Sequence, residues 1–389
     1  MLGPLFARQR LPFTGDDLAR TRAAFAEARP LPAAVYTAPE VFRLEQRSLL
    51  RDGWLPMGRA ADVPRPGDFM RPPSPWNVLV ARGDDLVVRA FQNTCRHRAA
   101  ELVTAPRGRV VSFECPYHGW CYAKDGRLRA APYAPAGFDA GTHGLIPVAL
   151  ATLGDLLFGR LREGAAQARD VAPVDSAPSW LRETELRHLV RVHEASWSVA
   201  ANWKLLAENF QESHHFTRVH GSLERWTPND DARSVLDKSG PWLGGTMALV
   251  DEAETVSASG KRLGRPYLVA PALRRTVHDA MLFPLLLTSL QPDYLLTYRL
   301  VPKAPGQTEV HFDIFAHPEV SSPEAIVDLV DFWRRVNAED GAICESQQRA
   351  FEGCPDASPA CYASVEDGVH AFQLRVAEAY ASAVAEEAP

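Results

Sequence analysis

Two short stretches decide how this chain is read: Cys95-Arg96-His97-Arg98 and, twenty residues on, Cys115-Pro116-Tyr117-His118-Gly119-Trp120. Each offers one soft thiolate and one imidazole. Together they make the ligand set of an iron-sulfur centre in which two histidines replace two cysteines on one iron. With six cysteines and twelve histidines in 389 residues, one C-x-H or one C-x-x-H arises readily by chance; both, in order and at loop-sized separation, do not. The same four residues also admit a structural zinc site of the Cys2His2 type, or two unconnected buried thiols.

Length and composition fit an ordinary globular protein of two domains, with 46% hydrophobic and 23% charged residues. A net charge of -6 without a dense Lys/Arg stripe argues against nucleic acid as a partner. The stretch 1–13 lacks the apolar run of a secretory signal, and the apolar run 280–287 is interrupted by Pro284 and too short to span a bilayer. No membrane association and a cytoplasmic, reducing location are therefore expected.

Residues 16–51 carry helix-like spacing and predict a leading helical segment, assigned to 1–50. Short β-prone runs follow at 78–81, 86–90, 110–113 and 156–160, and both Cys/His loops follow such runs, as in a small β domain presenting a cofactor at its loop tips. The polar Ala/Pro/Asp stretch 163–178 reads as a connection. Beyond it, 190–199, 285–300 and 309–315 predict strands. The run Gly240-Pro241-Trp242-Leu243-Gly244-Gly245 lacks the Lys-Ser/Thr of a phosphate cradle and reads as a turn.

A second constellation lies at Asn202-Trp203-Lys204, Glu208-Asn209-Phe210, Glu212, His214, His215 and His220. On a helix Glu208, Glu212 and His215 share a face, so a bend or end near 216–217 is needed before His220 joins His215. Alone, H-x4-H is a weak signal. A later helix is expected to start at Ser322-Pro323-Glu324, with Ser322 as N-cap. Its apolar stripe Ile326, Leu329, Val330, Trp333 and Val336 continues to Asp340, Ile343 and Cys344, which places Asp340 inward, where an unpaired carboxylate is costly and metal binding relieves the cost. Glu339 is the second choice, read as solvated or ion-paired.

These motifs resemble those of Rieske-type oxygenases. Cys115 to Trp120, continuing to Tyr122, Asp125-Gly126 and Leu128, is similar to the family's second cluster loop, and Cys95 to Arg98 to its first. The resemblance implies that Cys95 and Cys115 hold one iron and His97 and His118 the other. Ala99 stands where the family usually has glycine, so a slightly reshaped turn is expected. Electron-transfer Rieske proteins of respiratory complexes carry an extra cysteine in each loop, where this chain has Ala100 and Tyr117; Cys121 reads as a packed thiol. The N-W-K, E-N-F and E-x-x-H-x4-H string is similar to the mononuclear iron motif. It implies His215 and His220 as ligands and Glu212 as the acidic residue linking the two metal centres of neighbouring subunits. The segment 337–349 resembles the third-ligand region and favours Asp340 over Glu339. His214 is placed either in the pocket lining or as a spectator.

The likeness runs from about 53 to 353 and is to the α subunit of a Rieske non-haem iron oxygenase. It implies an α+β fold: an N-terminal all-β Rieske domain, 51–165, and a C-terminal helix-grip catalytic domain with a curved antiparallel sheet, 180–389. The implied cofactors are a 2Fe-2S cluster and a mononuclear Fe(II). The implied partners are an NAD(P)H-dependent reductase or ferredoxin, O2, a small organic substrate and further copies in a homotrimer. Length, Glu at 212 and the segment 339–348 are similar to the branch acting on choline, betaines and carnitine. For such cations Trp226, Trp242, Tyr294, Tyr298 and Phe312 offer a candidate aromatic cage, which core packing explains equally well. Hydroxylation of an aromatic or natural-product substrate is the alternative within the family. A Rieske electron carrier without oxygenase activity is the alternative from another class.

Overall fold

Strand Val190–Val199 opens a seven-stranded antiparallel sheet whose order continues through Gln307–Ala316, Tyr294–Ala304, Leu286–Leu290, Thr276–Leu282 and Trp242–Ala248 to Arg233–Leu236. The computed structural model describes residues 11–161, 177–236, 242–319, 323–354 and 359–386. Most of the connection expected at 163–178, the N-cap expected at Ser322, and Gly240-Pro241 lie outside the described residues.

The chain divides into two compact units, Arg51–Ser176 and the remainder, Met1–Leu50 together with Ala177–Pro389. In the larger unit the sheet packs against a 31-residue helix, Pro323–Gly353. Leu329, Phe332, Trp333 and Val336 of that helix join Val277, Leu296, Phe312 and Ile314 of the sheet in one core. The expected stripe holds for these positions, but Ile343 is 38% exposed and lies off the buried face.

Why the leading helices belong to this unit is visible at Glu45, on helix Pro39–Arg47. Its carboxylate is fully buried and accepts from Lys204 Nζ at 2.5 Å, Trp203 Nε1 at 3.0 Å and the Tyr380 hydroxyl. A buried charge needs such pairing. Trp203 and Lys204 thus serve the fold, tying the first helices, helix Trp203–Phe210 and the C-terminal helix Asp367–Glu386 to one carboxylate.

The smaller unit has a seven-stranded antiparallel sheet, in the order Leu55–Arg59, Leu156–Arg160, Pro147–Leu153, Val88–Gln92, Val78–Arg82, Asp68–Met70, Arg107–Arg109. A three-stranded sheet, Phe113–Glu114, Cys121–Tyr122 and Leu128–Ala130, accompanies it. Phe69, Phe91, Phe113, Tyr122 and Leu128 form its core, into which Cys95, Cys115 and Trp120 are packed.

Three expectations are corrected. From Trp242 on, the glycine-bearing run is strand and not turn: a Cβ on Gly244 would sit 2.1 Å from the Asp279 carbonyl oxygen, so glycine here permits close strand approach. The run 285–300 is a hairpin, because Pro292 cannot donate to a ladder and the Gln291 N–H bonds back to the Tyr294 carbonyl at 2.9 Å. Of the run 110–113 only Phe113 is strand, opening Phe113–Glu114, while 110–112 links it to Arg107–Arg109 with Val111 83% exposed.

Candidate metal centres

The two cysteine loops share one backbone design. The Cys95 N–H donates to the Ala100 carbonyl at 2.8 Å and the Ala99 N–H to the Cys95 carbonyl at 3.0 Å; in the second loop Cys115 donates to Trp120 at 2.7 Å and Gly119 to Cys115 at 2.9 Å. Such a turn needs a left-handed residue four places after the cysteine, and Ala99 (φ 59°) and Gly119 (φ 70°) supply it. The expected reshaping at Ala99 does not occur: the turn is kept, and the alanine carries the conformational cost.

These turns bring the four expected residues together in two chemical halves. Cys95 and Cys115 are 2% and 3% exposed, and burial pushes the Cys115 thiol up. His97 and His118 lie at the exposed rim with ring centroids 4.6 Å apart, and His97 stacks on Trp120 at 5.0 Å. Buried cysteines beside exposed imidazoles suit an iron-sulfur cluster, which Cys95 and Cys115 would hold from the core side and His97 and His118 from the rim. The Tyr122 hydroxyl, quoted in the sequence only as part of a pattern, lies 3.3 Å from Cys95 Sγ and accepts the Arg96 N–H at 2.9 Å. Cys121 is half-buried and free.

In the larger unit, helix Trp203–Phe210 begins at Asn202, whose side chain accepts the Lys204 N–H, and it ends earlier than expected. Glu208, Glu212 and His215 therefore do not share a helical face. Glu208 is turned to the Tyr36 hydroxyl, which donates to it at 2.7 Å, and burial pushes its carboxyl up to about 7. Glu212 and His215 sit in the following turn, before the short helix Phe216–Val219 that delivers His220.

His215, His220 and Asp340 each offer one ligand atom, all within 4.8 Å of one another. Asp340 Oδ1 lies 2.8 Å from His220 Nε2 and 3.5 Å from His215 Nε2, and also accepts Asn209 Nδ2 at 2.6 Å. The opposite ring nitrogens are held from behind: His215 Nδ1 by Glu212 at 2.6 Å and His220 Nδ1 by Glu339 at 2.7 Å. Glu339, read as solvated or ion-paired, has a specific partner: it is the carboxylate behind His220. Nothing in helical spacing points to that, because His220 comes from a segment 119 residues earlier.

The electrostatics suit a divalent cation at this position. Burial disfavours a charged His215, yet the Asp340 and Glu212 carboxylates overcome it and raise the imidazole to about 9. Burial likewise disfavours the Asp340 charge, and the two imidazoles pull it down to about 2. A divalent ion would replace those protons. Two histidines and one carboxylate, each imidazole backed by an acid, suit Fe(II) with open positions.

The site opens onto a cavity of about 570 Å³ within the larger unit, in the usual range for a small-molecule pocket. One wall carries His215, Asp340, Phe210 and Trp333; the other is the sheet face bearing Trp197, Tyr298, Leu287 and Asp279. His214 also lines it. Of the five aromatics offered as a candidate cage, only Tyr298 lines the cavity. Trp226, Tyr294 and Phe312 belong to the core and Trp242 packs edge-on to Trp180, whereas Phe25, Trp197, Phe210, Phe216 and Trp333, none of them offered for the cage, also line the cavity.

Residues 53–150 match the Rieske [2Fe-2S] domain and residues 186–382 the ring hydroxylating alpha subunit (catalytic domain). The chain belongs to the Rieske ring-hydroxylating oxygenase α-subunit family, whose two domains hold a Rieske 2Fe-2S cluster and a mononuclear iron. It is 35% identical over 234 residues to the glycine betaine monooxygenase oxygenase subunit of Chromohalobacter salexigens, covering 57% of this chain and 52% of the relative. The chain thus spans about half the length of that relative. To the carnitine monooxygenase oxygenase subunit of Acinetobacter baumannii it is 25% identical over 334 residues, covering 82% of this chain and 85% of the relative. A solved quaternary ammonium Rieske monooxygenase, described with inter-subunit electron transfer, shares the fold with a TM-score of 0.77 at 21% identity, over 95% of this chain and 99% of that one. The mixed fold with its curled antiparallel sheet is that of these oxygenases. Among the described residues no helix is long and apolar enough to cross a membrane.

Proposed function

We propose that this chain is the terminal oxygenase component of a cytoplasmic Rieske system that hydroxylates or oxidatively demethylates a small quaternary amine. One observation carries the reading: His215, His220 and Asp340 converge within 4.8 Å at the wall of a 570 Å³ cavity. An electron carrier has no need of such a site. Cys95 and Cys115 would hold one cluster iron, His97 and His118 the other, and His215, His220 and Asp340 the mononuclear iron. When bound, these irons supply one-electron transfer and the activation of O2.

The chain's own residues do the rest. Glu212 and Glu339 each accept the Nδ1 proton of a ligand histidine, so that Nε2 is presented as a lone pair towards the metal. Asn209 fixes Oδ1 of Asp340. Glu212 also provides the acidic link from the cluster of a neighbouring subunit in a homotrimer, and an NAD(P)H-dependent reductase or ferredoxin delivers the electrons. The names of the betaine and carnitine relatives support the choice of substrate. The test is O2 uptake with product analysis, using a surrogate reductase and NADH, over quaternary amines and aryl acids. Uptake coupled to loss of a methyl group or gain of a hydroxyl on an amine supports the reading; turnover of aryl acids alone overturns the substrate, and no coupled uptake overturns the activity.

A further inference from the structure

The sheet wall of the cavity is one face of the sheet, which carries Val277, Leu287, Leu300 and Val310 with Trp197 and Tyr298 and, as uncharged polar residues, Ser234, Ser289 and Gln291. Asp279 interrupts it. Its register partners on the two flanking strands are Gly245 and Ser289, both small, so neither neighbour covers the carboxylate.

Asp279 Oδ1 is buried without a hydrogen-bond partner, and among the described residues no Lys, Arg or His forms an ion pair with this side chain. Ser289 is its one hydrogen-bonding neighbour, itself bonded at 2.9 Å by Gln291 Nε2. Burial pushes the carboxyl up to about 7, the mark of a charge lacking a counter-ion. Retaining an uncompensated acid in an apolar pocket is costly, and the cost vanishes when a cation enters. Tyr298, on the same face and donating its hydroxyl to Asn337 Oδ1 at 3.0 Å, lines the cavity with both Asp279 and Asp340.

We infer that Asp279 is the specificity-determining counter-charge for the substrate, taking the cationic ammonium head between itself and the aromatic faces of Tyr298 and Trp197 while a methyl-bearing carbon is turned to the metal wall. This rests on the oxygenase reading of the cavity and adds to it the residue that selects cations over neutral molecules of the same shape. An acid at this position also disfavours anionic aryl substrates.

The test is equilibrium binding to the anaerobic, iron-loaded protein, with choline as the cation and 3,3-dimethyl-1-butanol as its uncharged carbon isostere. The wild-type chain should hold choline at least about tenfold more tightly than the isostere, and Asp279→Asn should cut that ratio at least about fivefold, the loss falling on choline and the remainder being the share of the aromatic faces. Equal affinities in the wild-type chain, or a ratio undiminished in Asp279→Asn, would overturn the assignment. The wild-type comparison stands by itself if the variant does not fold. Binding is read without turnover, so a chain that carries its irons and oxidises neutral compounds with no cation preference would keep the oxygenase class and lose this inference.

Discussion

His220 is held at both ring nitrogens by adjacent residues of one helix: its Nδ1 lies 2.7 Å from Glu339 Oε2 and its Nε2 2.8 Å from Asp340 Oδ1. The two carboxylates have different tasks, one orienting the ring and the other standing with it at the metal position. Replacing Glu339 by Gln should lower iron affinity by roughly 10–100-fold, with the cluster spectrum unchanged. Iron retained after graded chelator dialysis measures this, and undiminished retention would show that the contact is passive.

Glu212 is expected to separate binding from transfer. Glu212→Gln should weaken iron retention as Glu339→Gln does and, once reloaded with iron, should keep both metals and still slow product formation, as seen by single-turnover rates alongside iron analysis. Wild-type rates would remove its bridging task.

Ala99 and Gly119 occupy equivalent left-handed positions, and only one is glycine. A Cβ at Gly119 would meet nothing nearer than 3.8 Å, so the cost of Gly119→Ala is conformational, on the order of 1 kcal/mol. Ala99→Gly should gain somewhat less than that, because glycine loses more freedom on folding. Thermal bleaching of the cluster should shift down in the first variant and up in the second.

Glu45 and Lys204 form an ion pair with no exposure on either side. Lys204→Met leaves a buried carboxylate with only its Trp203 and Tyr380 hydrogen bonds, and should cost about 3–5 kcal/mol. The double variant Glu45→Leu with Lys204→Met should recover most of that loss. Calorimetry of the three chains decides it.

Glu208 gives the larger unit a pH dependence. Its folded carboxyl is raised from 4.5 to about 7, so between those values the native chain holds a proton that the unfolded chain has lost. Stability from this group is present below about 4.5 and falls as pH rises through 7, by on the order of 3 kcal/mol. Glu208→Gln should flatten that slope in denaturant unfolding across pH 5 to 8.

The parts of the site that were legible in sequence are those built by near neighbours. Each cluster loop is a single turn, so its C-x-H or C-x-x-H spacing is the geometry, and Asp340 follows from the stripe of one long helix. Asp279 was not legible as a site residue, and the roles of Glu339 and Asn209 were not, because their partners come from other elements and only packing sets which atoms meet. Helical spacing also misled between Glu208 and His215: the helix stops at Phe210, and a turn, with no period to read, carries Glu212. Glycines that permit close strand approach looked like turn glycines, since the carbonyl that excludes a side chain at Gly244 belongs to a distant strand.

Iron and acid-labile sulfide counted per chain, in the wild-type protein and in His215→Ala, test the two-centre account most directly. The account predicts about three irons and two sulfides falling to about two and two, with the visible cluster spectrum intact. Two irons in both chains, or loss of the cluster in His215→Ala, would contradict it.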